Sequence, residues 1–217
     1  MNNKIEGINK CKNLSNINIG TINIRGLNCI EKMLYTYDVI KQFKLDVIFI
    51  QESHIINGDT LEKIENIFFG FKIFFPLCSK KSKGVGFLIS DAIDLKNIRI
   101  ETPDQERIII LTITLNNIDL SLVNVYVPND YREQIKFVNS LYDLIFYRKN
   151  VILAGDFNFV ENNFLERTPS NKDKILKGHE EVWKQFLTIM KFTECHFNNI
   201  INKNSRTWSN GRIPLAL

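Results

Sequence analysis

Cysteine is scarce and scattered. Cys11, Cys29, Cys78 and Cys195 form no C-x-x-C pair, so neither a zinc site nor a disulfide framework is indicated, and a reducing compartment, nuclear or cytoplasmic, is expected. Long apolar runs are missing as well: no stretch approaches the ~20 residues that a membrane-spanning helix needs. Residues 1–16 carry Lys4, Glu6, Lys10 and Lys12 and lack the apolar centre of a secretory signal. They read as a polar leader, expected to be disordered. No charge of one sign dominates, because 28 Lys and Arg stand against 24 Asp and Glu. The resulting +4 is too small to demand a nucleic-acid partner by itself. Internal repeats, low-complexity segments and domain-sized linkers are also absent. What remains is a chain of 217 residues, 44% hydrophobic and 24% charged. That is ordinary for one globular domain over residues 17–217 with one sizeable core.

What the chain does have is a set of apolar runs that each deliver a polar residue. Val151-Ile152-Leu153-Ala154 is unbroken and reads as a strand buried on both faces. It leads into Gly155-Asp156-Phe157-Asn158, which brings a carboxylate and an amide, two residues apart, to a sheet rim. Val47-Ile48-Phe49-Ile50 leads into Gln51-Glu52, and the strand-like 17–24 segment carries Asn23 near its end. A fourth run, Leu122 to Val127, puts Tyr126 just before Pro128, which ends the strand. Taken singly, each has a plainer explanation: an acid after a strand more often caps the next turn or helix than binds metal, and a lone tyrosine is more often core. Four such strand ends in one chain look like a catalytic rim.

Between these runs the periodicity alternates. Ile30 to Phe43 reads as a helix through Ile30, Met33, Leu34, Tyr37 and Ile40. Residues 46–50, 71–75, 84–90, 95–101, 107–115 and 118–127 read as strands, with Asn116-Asn117 as a hairpin turn. Residues 131–147 and 179–190 read as amphipathic helices, the second turning Val182, Trp183, Phe186, Leu187 and Met190 inward. A long antiparallel middle with helices between the outer strands predicts two sheets covered by helices, and fits a doubly wound parallel sheet badly. Basic residues cluster modestly. Lys80, Lys81 and Lys83 share one loop, which suits a phosphate backbone about as well as it suits a solvated surface. The stretch from Arg167 to Lys177 mixes Arg167 and three lysines with Asp173 and is weaker evidence.

The order of the motifs carries more than any one of them. Thr21-Ile22-Asn23-Ile24-Arg25-Gly26-Leu27-Asn28 comes first, then Ile50-Gln51-Glu52-Ser53-His54 and Lys83-Gly84-Val85-Gly86-Phe87-Leu88-Ile89-Ser90, then Asn124-Val125-Tyr126-Val127-Pro128 and Gly155-Asp156-Phe157-Asn158. In this the chain resembles the exonuclease-endonuclease-phosphatase superfamily, which includes DNase I, the abasic-site endonucleases and inositol polyphosphate phosphatases. Within it, the chain is most similar to the endonuclease domain of LINE-type retrotransposons. The resemblance implies an α/β fold of DNase I type, a four-layered sandwich of two mainly antiparallel sheets flanked by helices. It implies a Mg²⁺-dependent phosphodiesterase, with Mn²⁺ as the alternative ion, that nicks one strand of DNA to provide a priming 3′-hydroxyl. A reverse transcriptase encoded downstream would be its partner. An abasic-site repair endonuclease, an inositol or lipid phosphoesterase, and a catalytically dead fragment that binds DNA or is inert remain as other readings.

Phosphodiester hydrolysis needs a nucleophilic water, a stabiliser for charge on phosphorus and help for the leaving oxygen, and a divalent ion on carboxylates supplies the last two. By the resemblance, Glu52 holds that ion with Asn23 beside it, and Asp156 orients or deprotonates the water. Asn158 donates to the scissile phosphate, and Tyr126 presents its hydroxyl to the phosphate or leaving group. Thr207, of the pair Thr207-Trp208, matches a family residue that lies near bound DNA, and Arg167, Lys80, Lys81 and Lys83 are expected from their charge to be further DNA contacts. The tail departs from the pattern. The family continues through Arg-Ile-Asp to a Ser-Asp-His segment, whereas here Pro214 follows Arg212-Ile213 and stands where Asp is expected. The expectation is a domain missing its last strands and impaired as a nuclease. His54, His179 and His196 do not match the family's histidine and read as ordinary surface or packing residues.

Overall fold

The computed structural model describes residues 17–79, 83–104, 106–158 and 177–193. The polar leader, Lys80, Lys81, Arg167, Thr207, His196 and the segment around Pro214 lie outside them. Contacts divide the chain into two compact units, Met1–Tyr126 with Arg148–Phe157, and Val127–Tyr147 with Asn158–Leu217.

The first unit holds β1 (Ile19–Asn23), α1 (Ile30–Gln42), β2 (Val47–Gln51), α2 (Gly58–Ile67), β3 (Phe71–Phe74), β4 (Val85–Ser90), β5 (Lys96–Asp104), β6 (Ile108–Leu115), β7 (Ile118–Tyr126) and β8 (Val151–Asp156). They form two four-stranded sheets, ordered β1-β2-β4-β3 and β5-β6-β7-β8. Each sheet has one parallel pair, β1 with β2 and β7 with β8, and its other pairs are antiparallel. The predicted mixed α/β architecture with two mainly antiparallel sheets is therefore present.

Strand β2 shows why its sequence is an unbroken apolar run. Ile48 and Ile50 join Met33 and Ile40 of α1 and Ile64 of α2 in one core. Val47 and Phe49 join Phe87 of β4, Leu111 of β6 and Leu122 of β7 in the core between the sheets. Alternate residues point to opposite faces of a strand, and here both faces are covered. The hairpin expected at Asn116-Asn117 forms as a two-residue loop between β6 and β7. Both asparagines have left-handed backbones, φ 50° and 64°, the geometry of a type I′ turn.

Two features differ from the periodicity. Ile30 and Leu34 of α1 are half exposed, and the buried face is Met33, Thr36, Val39 and Ile40. Helix α2 stands outside the elements read above: its start depends on Asn57, whose side chain accepts from the Thr60 N–H at 3.0 Å, and Leu61, Ile64 and Phe68 form its inward stripe.

The second unit contains α3 (Tyr131–Ile145) and α4 (Lys177–Met190), which pack on each other. Asp130 caps α3 by accepting from the backbone N–H groups of Arg132 and Glu133. Phe137, Val138, Leu141, Ile145 and Phe186 are buried, and the Trp183 and Phe186 rings stack. No helix among the described residues is long and apolar enough to cross a membrane.

Candidate active site

Parallel pairing is what assembles the polar strand ends. In a parallel pair both strands finish at the same edge, so two C-terminal residues lie side by side, which an antiparallel pair does not achieve. Asn23 is level with Gln51 across β1 and β2, and Tyr126 is level with Asp156 across β7 and β8. The two edges meet. The Asn23 amide nitrogen donates to Glu52 Oε1 at 2.8 Å and to Asp156 Oδ2 at 2.7 Å, the second across 133 residues of sequence. One amide thus bridges two carboxylates carried by different sheets. Its oxygen accepts from the Arg25 backbone N–H at 3.2 Å, which orients the amide with its nitrogen toward the acids.

Tyr126 completes this cluster. Its hydroxyl is hydrogen-bonded with Glu52, and its pKa is pushed up to about 12, first by burial, then by the Glu52 charge, the Glu52 hydrogen bond and the Asp156 charge. The phenol is consequently a neutral donor at ordinary pH. Arg107 opposes the shift: its guanidinium lies 5.1 Å from the Tyr126 ring centroid and donates to the Tyr126 carbonyl at 3.0 Å. Arg107 escaped the sequence reading because it lies in the turn just before β6, with no motif around it.

Beneath the rim the sheets are tied by a buried polar bridge. Gln51 Nε2 donates to Asn124 Oδ1 at 2.7 Å, while Asn124 Nδ2 donates to the carbonyls of Ile50 at 2.8 Å and Gly86 at 2.7 Å. Both side chains are buried. These amides satisfy each other and two main-chain carbonyls, so they brace the rim rather than face a substrate.

Two backbone devices aim the acids. Glu52 follows β2 with a left-handed φ of 53°, held by the Gly26 N–H donating to its carbonyl at 2.6 Å. Gly155 precedes Asp156 with φ 151°, and a Cβ there would overlap the main chain of Val125. Only glycine fits that position.

The remaining expected residues are distributed differently. Asn158 belongs to the second unit, where its amide donates to the Val127 carbonyl at 2.8 Å. Lys83, expected on DNA, has its ammonium 2.8 Å from Glu106 Oε2, and Ser79 donates to the same carboxylate. That loop cation is therefore already paired. His54, set aside from the sequence, lies with Nε2 3.6 Å from Glu52 Oε2.

The donor set suits a hard divalent ion. Among the described residues no three His, Cys, Asp or Glu side chains converge as a metal cluster. One carboxylate with several waters is nevertheless the kind of shell Mg²⁺ accepts.

The family model described as Endonuclease/Exonuclease/phosphatase family matches residues 20–213. Among solved structures, an AP endonuclease from Archaeoglobus fulgidus is 19% identical with a TM-score of 0.61, over 80% of this chain and 70% of that one. A 3′-5′ exonuclease from Neisseria meningitidis is 16% identical with a TM-score of 0.60, over 79% and 70%. The D. rerio TDP2 complexed with single strand DNA product is 18% identical with a TM-score of 0.52; this chain spans 61% of its length, with 66% of this chain covered. At these identities the likeness is one of fold.

Proposed function

The chain belongs to the endonuclease/exonuclease/phosphatase family, and from that premise we propose that it is a divalent-metal-dependent phosphodiesterase that nicks one strand of DNA, as a retrotransposon endonuclease does. The observation that carries this reading is the Asn23 amide joining Glu52 and Asp156. Two carboxylates on one neutral donor, with a protonated phenol against one of them, can divide the work of hydrolysis. DNA as substrate is supported by the TDP2 relative seen with single strand DNA product, and the retrotransposon type by the likeness of the Gln51-Glu52-Ser53-His54 segment.

In this reading Glu52 would hold the cation, with Asn23 beside it donating its amide N–H to the Glu52 and Asp156 carboxylates. When bound, the ion supplies positive charge against the phosphate oxygens and the leaving group. Asp156 is the base: released from Asn23, its carboxylate orients a water and accepts its proton. Tyr126 keeps its proton, because burial and the two acids disfavour the phenolate, and donates it in a hydrogen bond to a phosphate oxygen. Arg107 fixes the Tyr126 ring from its face.

The test is nicking of supercoiled plasmid by the purified chain with Mg²⁺ or Mn²⁺. Asp156→Ala should lower the rate about 10²–10⁴-fold, the usual worth of a general base. Nicking that survives Asp156→Ala unchanged would remove Asp156 from the chemistry, and a substrate preference for an abasic duplex over intact DNA would replace the nickase reading by a repair one.

A further inference from the structure

His54 has no part in the chemistry above, yet it is held against it. Its Nε2 is buried without a hydrogen-bond partner and stands 3.6 Å from Glu52 Oε2, too far for a hydrogen bond. A buried unpaired nitrogen is destabilising, and the surrounding backbone maintains it at further cost. Glu52 and His54 both adopt left-handed conformations, φ 53° and 57°. For residues with a Cβ this is an unfavourable conformation. The segment is clamped from two sides. Gly26 and Leu27 donate to the carbonyls of Glu52 and Ser53 at 2.6 and 2.9 Å, and Ser53 and His54 donate to those of Gly84 and Lys83 at 3.1 and 2.9 Å. A Cβ on Gly26 would come within 2.9 Å of His54 Nδ1, so the glycine leaves the imidazole its room.

An oriented, unpaired nitrogen beside an acid ligand has one economical use. We propose that His54 is a nitrogen donor to the cation held by Glu52, which makes the site prefer Mn²⁺ to Mg²⁺. The inference rests on the metal-dependent reading above. A single ion lying ~2.1 Å from each donor spans a separation of this size. Imidazole favours first-row transition ions, whereas Mg²⁺ takes hard oxygen donors. Two protein donors of this type make no three-residue cluster among the described residues, the other positions falling to water.

The experiment is pulsed EPR on Mn²⁺ bound to the full chain. The expected spectrum carries a ¹⁴N coupling that becomes a ¹⁵N coupling when the protein is made with ¹⁵N-histidine. In His54→Asn the coupling disappears, and Mn²⁺ affinity falls about tenfold or more while Mg²⁺ affinity changes less. The wild-type spectrum decides by itself whether any histidine binds the ion, and His54→Gln replaces His54→Asn if that variant does not fold. Bound Mn²⁺ that Glu52→Gln releases, but that shows no histidine coupling, overturns the role of His54 and leaves the metal site standing. A coupling that persists in the His54 variant also overturns it. Absence of Mn²⁺ and Mg²⁺ binding, or binding indifferent to Glu52→Gln, overturns the metal site and this inference with it.

Discussion

The two parallel strand pairs do the same job by different means. In the second sheet, Tyr126 and Asp156 are register partners, so the ladder itself sets them side by side, and the unusual conformation next to the acid falls on Gly155, which has no side chain to object. In the first sheet, Asn23 is level with Gln51, and Gln51 is turned inward to Asn124. The acid is the next residue, Glu52, and it reaches Asn23 from a left-handed backbone. A strand offers each face only every second residue. Where the core takes the last position of the ladder, the functional residue must leave strand geometry, and the strain lands on the functional residue itself.

Glycine substitutions give the largest expected break in that comparison. Gly155→Ala should cost about 3 kcal/mol or more, because the new Cβ would overlap main-chain atoms of Val125 that cannot move aside. Gly20→Ala, in the matching edge strand β1, meets only the tip of the Leu45 side chain, at 2.7 Å. It should cost less than about 1 kcal/mol. Urea denaturation of both variants checks the contrast, and equal losses would show that the second pair has no special dependence on its glycine. Next in size is the bridge between the pairs. Asn124→Leu should destabilise by about 2–4 kcal/mol, since the Gln51 amide and the carbonyls of Ile50 and Gly86 lose their partner. Adding Gln51→Met should return part of that loss, and a strictly additive double mutant would show the two amides to be energetically independent.

A smaller effect tests whether the two edges sense each other. Tyr126 ionises near pH 12, and Glu52→Gln should bring it down, but not to the ordinary ~10, because burial, the largest cause, remains. A raised folded pKa contributes stability that is complete below the unfolded value and is lost as pH rises through the folded one. The alkaline decline should therefore shrink in Glu52→Gln. Phenolate absorbance, assigned by difference from Tyr126→Phe, measures this, and an unchanged midpoint would separate the two side chains. The smallest effect is expected away from the rim. Arg148 donates to Glu101 Oε2 at 2.8 Å, and that hydrogen bond is the main cause holding the Glu101 carboxyl below its usual range. Arg148→Ala should cost no more than about 1 kcal/mol, the pair being partly exposed. A depressed carboxyl pKa stabilises above the unfolded value and stops doing so as pH falls through the folded one. The deficit should thus be present at neutral pH and vanish in acid; a deficit constant with pH would mean that packing, not charge, is lost.

Much of the fold was legible because its signals are local. The apolar runs of β2, β6 and the end of β7 reflect burial on both faces, whereas β8, expected to be equally buried, is an edge strand and only half-buried along its length; the turn at Asn116-Asn117 needs two left-handed residues that asparagine tolerates, and Asp130 caps α3 within three residues. Helix α2 carries local signals of the same kind, Leu61, Ile64 and Phe68 at three- and four-residue spacing behind the Asn57 cap, whereas the stripe of Ile30 and Leu34 in α1 says which residues align, not how wide a face its neighbours cover.

At the candidate site the division is sharper. Sequence by itself determined which strand ends carry Asn23, Glu52, Tyr126 and Asp156, since a polar residue closing an apolar run must emerge at an edge. Only the tertiary structure decided that Asn23 and Asp156 share a hydrogen bond across 133 residues, that Lys83 spends its charge on Glu106 and that His54 stands beside Glu52. Pairing partners and strand directions are non-local choices, stabilised by contacts between segments that have no order of their own until they meet, and no stretch of sequence records such contacts in its own pattern.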